Sequence, residues 1–122
     1  MILADTSVWV DHLHRADPVL YRLFHSDSIL MHPVVIGEVA LGPLVDRLAT
    51  LKVLSHLPRA EVAQHDEVLR LIEDWSLYGC GIGYSDAHML ASVLLTSGSR
   101  LWTRDRSLRR VAQQLSLDAK LS

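Results

Sequence analysis

The stretch Ile-Leu-Ala-Asp-Thr-Ser-Val-Trp at residues 2–9 decides the fold. Its apolar part, residues 2–4, predicts a buried β-strand, because a strand covered on both faces shows no polar alternation. The acidic and hydroxyl residues 5–7 are types that begin helices. The stretch therefore predicts a strand that runs directly into a helix, which is the repeating unit of a parallel α/β sheet.

Short apolar runs alternate with amphipathic segments along the rest of the chain. Further strands are predicted at residues 29–31, 61–63, 101–103 and 117–121. Further helices are predicted to include residues 44–54, 65–77 and 86–96, with Ser85 as the N-cap of the last one. This order predicts an α/β fold with a short, mostly parallel sheet that helices cover on both faces.

The composition is that of one globular domain spanning residues 1–122. The chain has 122 residues, of which 49% are hydrophobic and 21% charged, and these values exclude intrinsic disorder. The single cysteine, Cys80, excludes an internal disulfide and a multi-cysteine zinc site. No apolar run is long enough to cross a membrane, and the N-terminus lacks the features of a signal peptide. We therefore expect a cytoplasmic protein without a membrane segment.

Four acidic residues stand where a parallel sheet can gather them. Asp5 and Asp105 each follow a predicted strand. Glu38 lies in the first turns of the helix after the second strand, and Asp86 begins an apolar helix. Because the carboxyl ends of parallel strands meet at one edge of a sheet, these side chains can lie close together. Each acid alone also has a structural explanation, as a helix cap, a turn residue or an ion-pair partner.

Carboxylates that converge must be protonated or share a cation, because like charges repel one another. A cluster of oxygen ligands favours Mg²⁺ or Mn²⁺ over softer metals. Such an ion lowers the pKa of a bound water and neutralises phosphate charge, which suits phosphoryl chemistry. A phosphoacceptor α/β domain is disfavoured, because it needs a second aspartate soon after Asp5 or a lysine at the end of a later strand. Position 7 holds Ser7, and Lys52 and Lys120 are poorly placed.

Four stretches of the chain together resemble the PIN domain, and more narrowly the VapC-type toxin of a bacterial toxin–antitoxin pair. They are Asp-Thr-Ser-Val-Trp at residues 5–9, Ile-Gly-Glu-Val-Ala-Leu-Gly at 36–42, Ser-Asp-Ala-His-Met-Leu-Ala-Ser at 85–92 and Leu-Trp-Thr-Arg-Asp at 101–105. They occur in the family's order and cover essentially the whole chain. The resemblance implies a metal-dependent endoribonuclease on a three-layer α/β/α sandwich.

The resemblance also implies roles for single residues and a set of partners. The family's acidic quartet is matched here by Asp5, Glu38, Asp86 and Asp105. The implied ion is Mg²⁺ or Mn²⁺, and its ligands are Asp5, Asp86 and Asp105. Ser7 matches a hydroxyl residue that hydrogen-bonds to a carboxylate, and Thr103 stands where the family often has a hydroxyl near the last acid; both are implied to support the ligands. Some relatives carry a further acid two residues after the last aspartate, where this chain has Ser107, so one ion is favoured over two. The implied partners are RNA, a VapB-type antitoxin and a second copy in a homodimer.

Two questions about binding stay open at the level of sequence. The formal net charge of −2 gives no global sign of a nucleic-acid binder, so the evidence must be local. Arg104 and Arg106 flank Asp105 and are candidates for holding RNA phosphates. The alternative function is a non-catalytic α/β binding module, whose acidic groove holds a cationic protein segment.

Overall fold

The computed structural model describes all residues from 1 to 122. It contains three short strands and seven helices, in the order β1 (Ile2–Ala4), α1 (Thr6–His14), α2 (Pro18–His25), β2 (Ile29–Leu30), α3 (Pro33–Ala40), α4 (Arg47–Ser55), α5 (His65–Asp74), α6 (Tyr84–Leu95), β3 (Arg100–Trp102) and α7 (Arg106–Gln114). None of the helices is both long and apolar enough to span a membrane.

The three strands form one parallel sheet in the order β2-β1-β3. Leu3 of the central strand pairs with Leu30 on one side and with Leu101 on the other. All three leucines are buried, which explains the apolar character of the strand sequences. The predicted α/β sandwich with a short parallel sheet is therefore confirmed. Because β1 is central, Asp5 stands in the middle of the carboxyl edge of the sheet.

The strand predicted at residues 61–63 is wrong. The chain in this region meets β2 only through a parallel bridge between Met31 and Arg59. The Glu61 N–H donates to the hydroxyl of Thr96, the C-cap of α6, at 2.9 Å. The Ala63 N–H donates to the hydroxyl of Ser92 in α6 at 3.1 Å. These donors are therefore unavailable to a neighbouring strand, and the segment stays extended without joining the sheet.

The strand predicted at residues 117–121 is reduced to a single bridge. Leu101 of β3 pairs with Asp118 in parallel. The Leu101 N–H donates to the Leu117 carbonyl at 2.7 Å, and the Ala119 N–H donates to the Leu101 carbonyl at 2.8 Å. The tail thus covers part of the β3 edge, and Lys120, whose φ of 60° is left-handed, takes the chain out of the extended conformation.

Local hydrogen bonding moves the start of α6 away from the predicted position. The helix begins at Tyr84 with Gly83 as its N-cap, so the prediction of Ser85 as cap is wrong. The Asp86 carboxylate accepts a hydrogen bond from the Gly83 N–H at 3.0 Å. This contact satisfies the backbone N–H of Gly83, so the helix begins at Tyr84, two residues before the predicted start at Asp86.

One hydrophobic core of 27 buried residues surrounds the sheet. Its largest fully buried side chains come from several elements and include Leu3, Leu20, Met89 and Trp102. Burying one such side chain contributes about 1.5–3 kcal/mol. The strand ends that carry acids are therefore anchored to the closely packed core.

A buried polar network joins α3 to α6 beneath the sheet edge. The His32 ring is fully buried, and its Nδ1 accepts the Val34 N–H at 3.0 Å as the N-cap of α3. Ser92 Oγ donates to the His88 carbonyl at 2.9 Å and accepts the Ala63 N–H at 3.1 Å. The 2.9 Å contact between His32 Nε2 and Ser92 Oγ is then donated by Nε2, which assigns a neutral ring.

Candidate active site

Asp5 lies at the junction of β1 and α1, where its carboxylate is held on both oxygens. The residue is 4% exposed, and Oδ1 accepts the Val8 N–H at 3.3 Å as the N-cap of α1. Ser7 Oγ donates to Oδ1 at 2.5 Å, and Thr103 Oγ1 donates to Oδ2 at 2.5 Å. The two hydroxyl residues that the resemblance singled out therefore both contact this carboxylate.

The hydroxyls that hold Asp5 are themselves oriented by the backbone after β3. The Arg104 N–H donates to Ser7 Oγ at 3.1 Å, and the Asp105 N–H donates to Thr103 Oγ1 at 3.0 Å. Each backbone donor occupies a lone pair of its hydroxyl, so the hydroxyl hydrogen is left to point at Asp5. The ends of β1 and β3 are joined in this way across the site.

Burial raises the pKa of Asp5 above its usual value of 3.8. The hydrogen bonds from Ser7, Thr103 and the Val8 backbone oppose this effect, because they stabilise the charged form. The carboxylate thus sits in a place that disfavours its charge unless further positive charge is present. Such a balance is typical of functional carboxylates.

Asp86 connects the other acids electrostatically. Burial is the largest effect and raises the pKa of Asp86, whereas the hydrogen bond from the Gly83 N–H lowers it. The negative charges of the other three acids raise it further; they are Asp105, Asp5 and Glu38. Charges raise a neighbour's pKa only over short distances in a partly buried site. The structure therefore brings the four sequence-predicted acids into one electrostatic neighbourhood.

The remaining two acids are exposed, and each uses one oxygen for a protein contact. Asp105 is the N-cap of α7, and its Oδ1 accepts the Leu108 N–H at 2.8 Å. Glu38 Oε1 accepts a hydrogen bond from Thr6 Oγ1 at 2.6 Å. The second oxygen of each carboxylate is left for water, a cation or substrate. The sequence patterns did not predict a role for Thr6 at the site. Its position directly after Asp5 was the signal that could have indicated one.

The donor set of this site fits a hard divalent cation. All four groups offer carboxylate oxygens, and a cation would relieve the cost that raises the pKa of Asp5 and Asp86. No three His, Cys, Asp or Glu side chains form a finished metal-holding cluster. The fit therefore rests on the chemistry of the donors and on their shared electrostatic neighbourhood.

The two arginines beside Asp105 have different surroundings. The Arg104 guanidinium pairs with Asp11 at 2.8 Å and also with Asp17, and it lies over the Trp102 ring at 5.4 Å from the centroid. These contacts tie the segment after β3 to α1 and to the start of α2. Arg106 is exposed in the first turn of α7, directly after Asp105.

Comparison with known proteins identifies the family to which this chain belongs. The family model described as PIN domain matches residues 2–114. The chain is 49% identical over 109 residues to Ribonuclease VapC32 of Mycobacterium tuberculosis, in strain CDC 1551 / Oshkosh and in strain ATCC 25618 / H37Rv. The match covers 89% of this chain and 88% of each relative. The chain therefore belongs to the PIN-domain family, and within it to the VapC type, as its four motifs indicated.

Proposed function

We propose that this protein is the endoribonuclease toxin of a type II toxin–antitoxin module. The observation that carries the proposal is the convergence of acids on Asp86 beside the carboxyl edge of the sheet, where the negative charges of Asp105, Asp5 and Glu38 add to burial in raising the pKa of Asp86. The similarity to a protein named Ribonuclease VapC32 supports the same activity. The proposed place of action is the cytoplasm, where the RNA substrate is found.

The proposed cofactor is Mg²⁺ or Mn²⁺, with Asp5, Asp86 and Asp105 as the residues that would hold it. When bound, such an ion supplies a water of lowered pKa and neutralises charge on the phosphate. Carboxylate ligands around Mg²⁺ leave positions for water and for phosphate oxygens, which suits hydrolysis of a phosphodiester. Direct attack by water does not require the 2′-hydroxyl of the RNA.

The side chains around the carboxylates have supporting roles in this proposal. Ser7 and Thr103 hold the Asp5 carboxylate in one orientation, which lowers the cost of reorganisation during the reaction. Glu38 has one oxygen fixed by Thr6, and its other oxygen can bind the cation or accept a proton from the attacking water. Arg106 is the arginine that we propose for an RNA phosphate, because the Arg104 guanidinium is already paired.

A VapB-type antitoxin is the proposed protein partner, and a homodimer the proposed assembly. A cavity of about 350 Å³ lies beside Glu38 and is lined in part by Val10, Leu13, Leu44 and Val45. An apolar segment seated there could place a cationic side chain at the acids, in the position of a metal ion. The alternative function, a non-catalytic module that holds a cationic protein segment, relies on the same acids and lacks turnover.

The experiment that separates these functions is cleavage of purified RNA with and without a divalent cation. We expect the protein to cut RNA with Mg²⁺ or Mn²⁺, and we expect excess chelator to stop cleavage and re-addition of the ion to restore it. Product ends mapped by sequencing identify internal cuts. Intact RNA in the presence of either ion, together with tight binding of a cationic peptide, would favour the binding module instead.

A further inference from the structure

We propose that Tyr84 is a stacking platform for an unpaired base of the RNA strand that reaches the carboxylates. This inference rests on the proposed ribonuclease function. Tyr84 is the first residue of α6, and Asp86 lies in the same helical turn. The tyrosine is 47% exposed, so a large part of its ring is open to a ligand. We infer that a strand whose phosphate lies at Asp86 passes around the start of α6 and brings a neighbouring base to this ring.

The Tyr84 ring is held in place by two histidines. Its hydroxyl forms a hydrogen bond with His65 Nδ1 at 2.7 Å. The His65 and His88 rings both lie tilted to the Tyr84 ring, at centroid distances of 5.5 Å and 5.8 Å. An exposed side chain restrained in this way loses less rotational freedom when a ligand stacks on it. The ring is therefore organised for stacking before RNA arrives.

The surface beside Tyr84 has the shape and chemistry that a base requires. A groove of about 200 Å³ is lined in part by Tyr78, Ile82, Gly83 and Tyr84. Tyr78 is 67% exposed and supplies a second aromatic ring at this groove. Aromatic and apolar walls bind the flat face of any base, because every base has a π-face. The groove therefore favours an unpaired nucleotide and confers little sequence preference by itself.

Gly83 belongs both to the wall of the groove and to the acidic site. The Gly83 N–H donates to the Asp86 carboxylate, and a Cβ at this position would lie 3.8 Å from Asp86 Oδ2. Gly83 therefore places no side chain of its own between the groove and the carboxylate. Because one residue lines the groove and contacts Asp86, the occupant that we infer is a part of the same RNA strand whose phosphate meets the acids. A protein segment in the groove is the competing occupant that the experiment separates.

The test compares two variants that both lose the hydroxyl and differ in aromaticity. Binding of a single-stranded oligoribonucleotide is measured in an Asp86→Asn background, and cleavage is measured in the parent background. We expect Tyr84→Leu to weaken binding and raise KM by about tenfold, and Tyr84→Phe to stay within about twofold of the parent. Tyr21→Ala is the matched control, because Tyr21 is 59% exposed and packs beside His25, on α2.

A second measurement distinguishes stacking from a structural role of Tyr84. Oligonucleotides with a single abasic position are scanned against the parent and Tyr84→Leu proteins. At one position we expect the loss of binding free energy caused by the missing base and the loss caused by Tyr84→Leu not to add, because each change removes the same stacked pair. Additive losses at every position, or equal affinity of Tyr84→Leu and Tyr84→Phe, would overturn the inference while cleavage by the parent still supports a ribonuclease. Failure of the parent to cut RNA would overturn both.

Discussion

Replacing Asp86 by asparagine will lower the rate of RNA cleavage by at least about a hundredfold and leave the protein folded. The change removes a negative charge that the proposed cation requires, and the expected loss corresponds to about 3 kcal/mol of transition-state stabilisation. The amide oxygen of asparagine can still accept the Gly83 N–H, so the start of α6 keeps its cap. Activity and fold are therefore expected to respond differently to one substitution.

The stability of this variant has a predictable sign. Burial and the three neighbouring carboxylates raise the pKa of Asp86, which means that the folded protein disfavours its charged form at neutral pH. A neutral side chain of the same size relieves that repulsion. We expect the free energy of unfolding of Asp86→Asn at pH 7 to equal or exceed that of the parent, as measured by urea denaturation.

The matched control for this experiment is Asp66→Asn. Asp66 also lies in the first turn of a helix, in α5, and it is exposed. The same chemical change there should leave cleavage within about twofold of the parent, since surface charges outside the site contribute little. Parental cleavage by Asp86→Asn would contradict the assignment of the site, and so would an equal loss of activity in both variants.

Acidification will cost this protein stability through the buried imidazole of His32. Burial lowers the pKa of His32 to about 4 from 6.5, and the nearby charges of His88 and Arg59 add to the effect. The unfolded chain binds a proton near pH 6.5, and the folded chain binds it only near pH 4. The neutral His32 ring therefore contributes its full stabilisation above pH 6.5. This contribution declines as the pH falls towards 4 and is lower by about 2–3 kcal/mol at pH 4.5.

The measurement compares the parent with His32→Asn by urea denaturation at pH 7 and pH 4.5. Asparagine can cap α3 but cannot take up a proton, so the variant loses the His32 contribution at both pH values. We expect the stability difference between the two proteins to shrink by about 2–3 kcal/mol on acidification. Carboxyls with raised pKa, such as Asp5, act in the opposite direction and cancel in this comparison. A difference that stays constant with pH would show that His32 is not buried as a neutral ring.

The buried polar network around His32 and Ser92 also explains why residues 61–63 do not form the predicted strand. Alternating residues there are compatible with an edge strand, but the Ser92 hydroxyl accepts the Ala63 N–H and the Thr96 hydroxyl accepts the Glu61 N–H. Side-chain acceptors on a helix replaced the carbonyls of a neighbouring strand. Competition of this kind depends on where α6 packs, and that position lies outside the segment itself.

Short-range chemistry was readable from the sequence. The apolar run at residues 2–4 and the cap at Asp5, which accepts the Val8 N–H, both depend on residues within one or two turns of each other. The placement of acids at strand ends followed from the same short patterns, because a parallel sheet collects its carboxyl ends at one edge. The class of fold was therefore accessible without coordinates, and so were the four acids that we propose for the site.

Contacts between distant residues were decided only by the tertiary structure. Thr103 holds Asp5 across 98 positions, His32 meets Ser92 across 60, and Thr6 meets Glu38 across 32. The ion pairs of Arg104 and the restraint of Tyr84 by His65 belong to the same group. Each of these contacts depends on how helices pack against the sheet. That packing is set by the shapes of many side chains at once, and no local pattern of residue types encodes it.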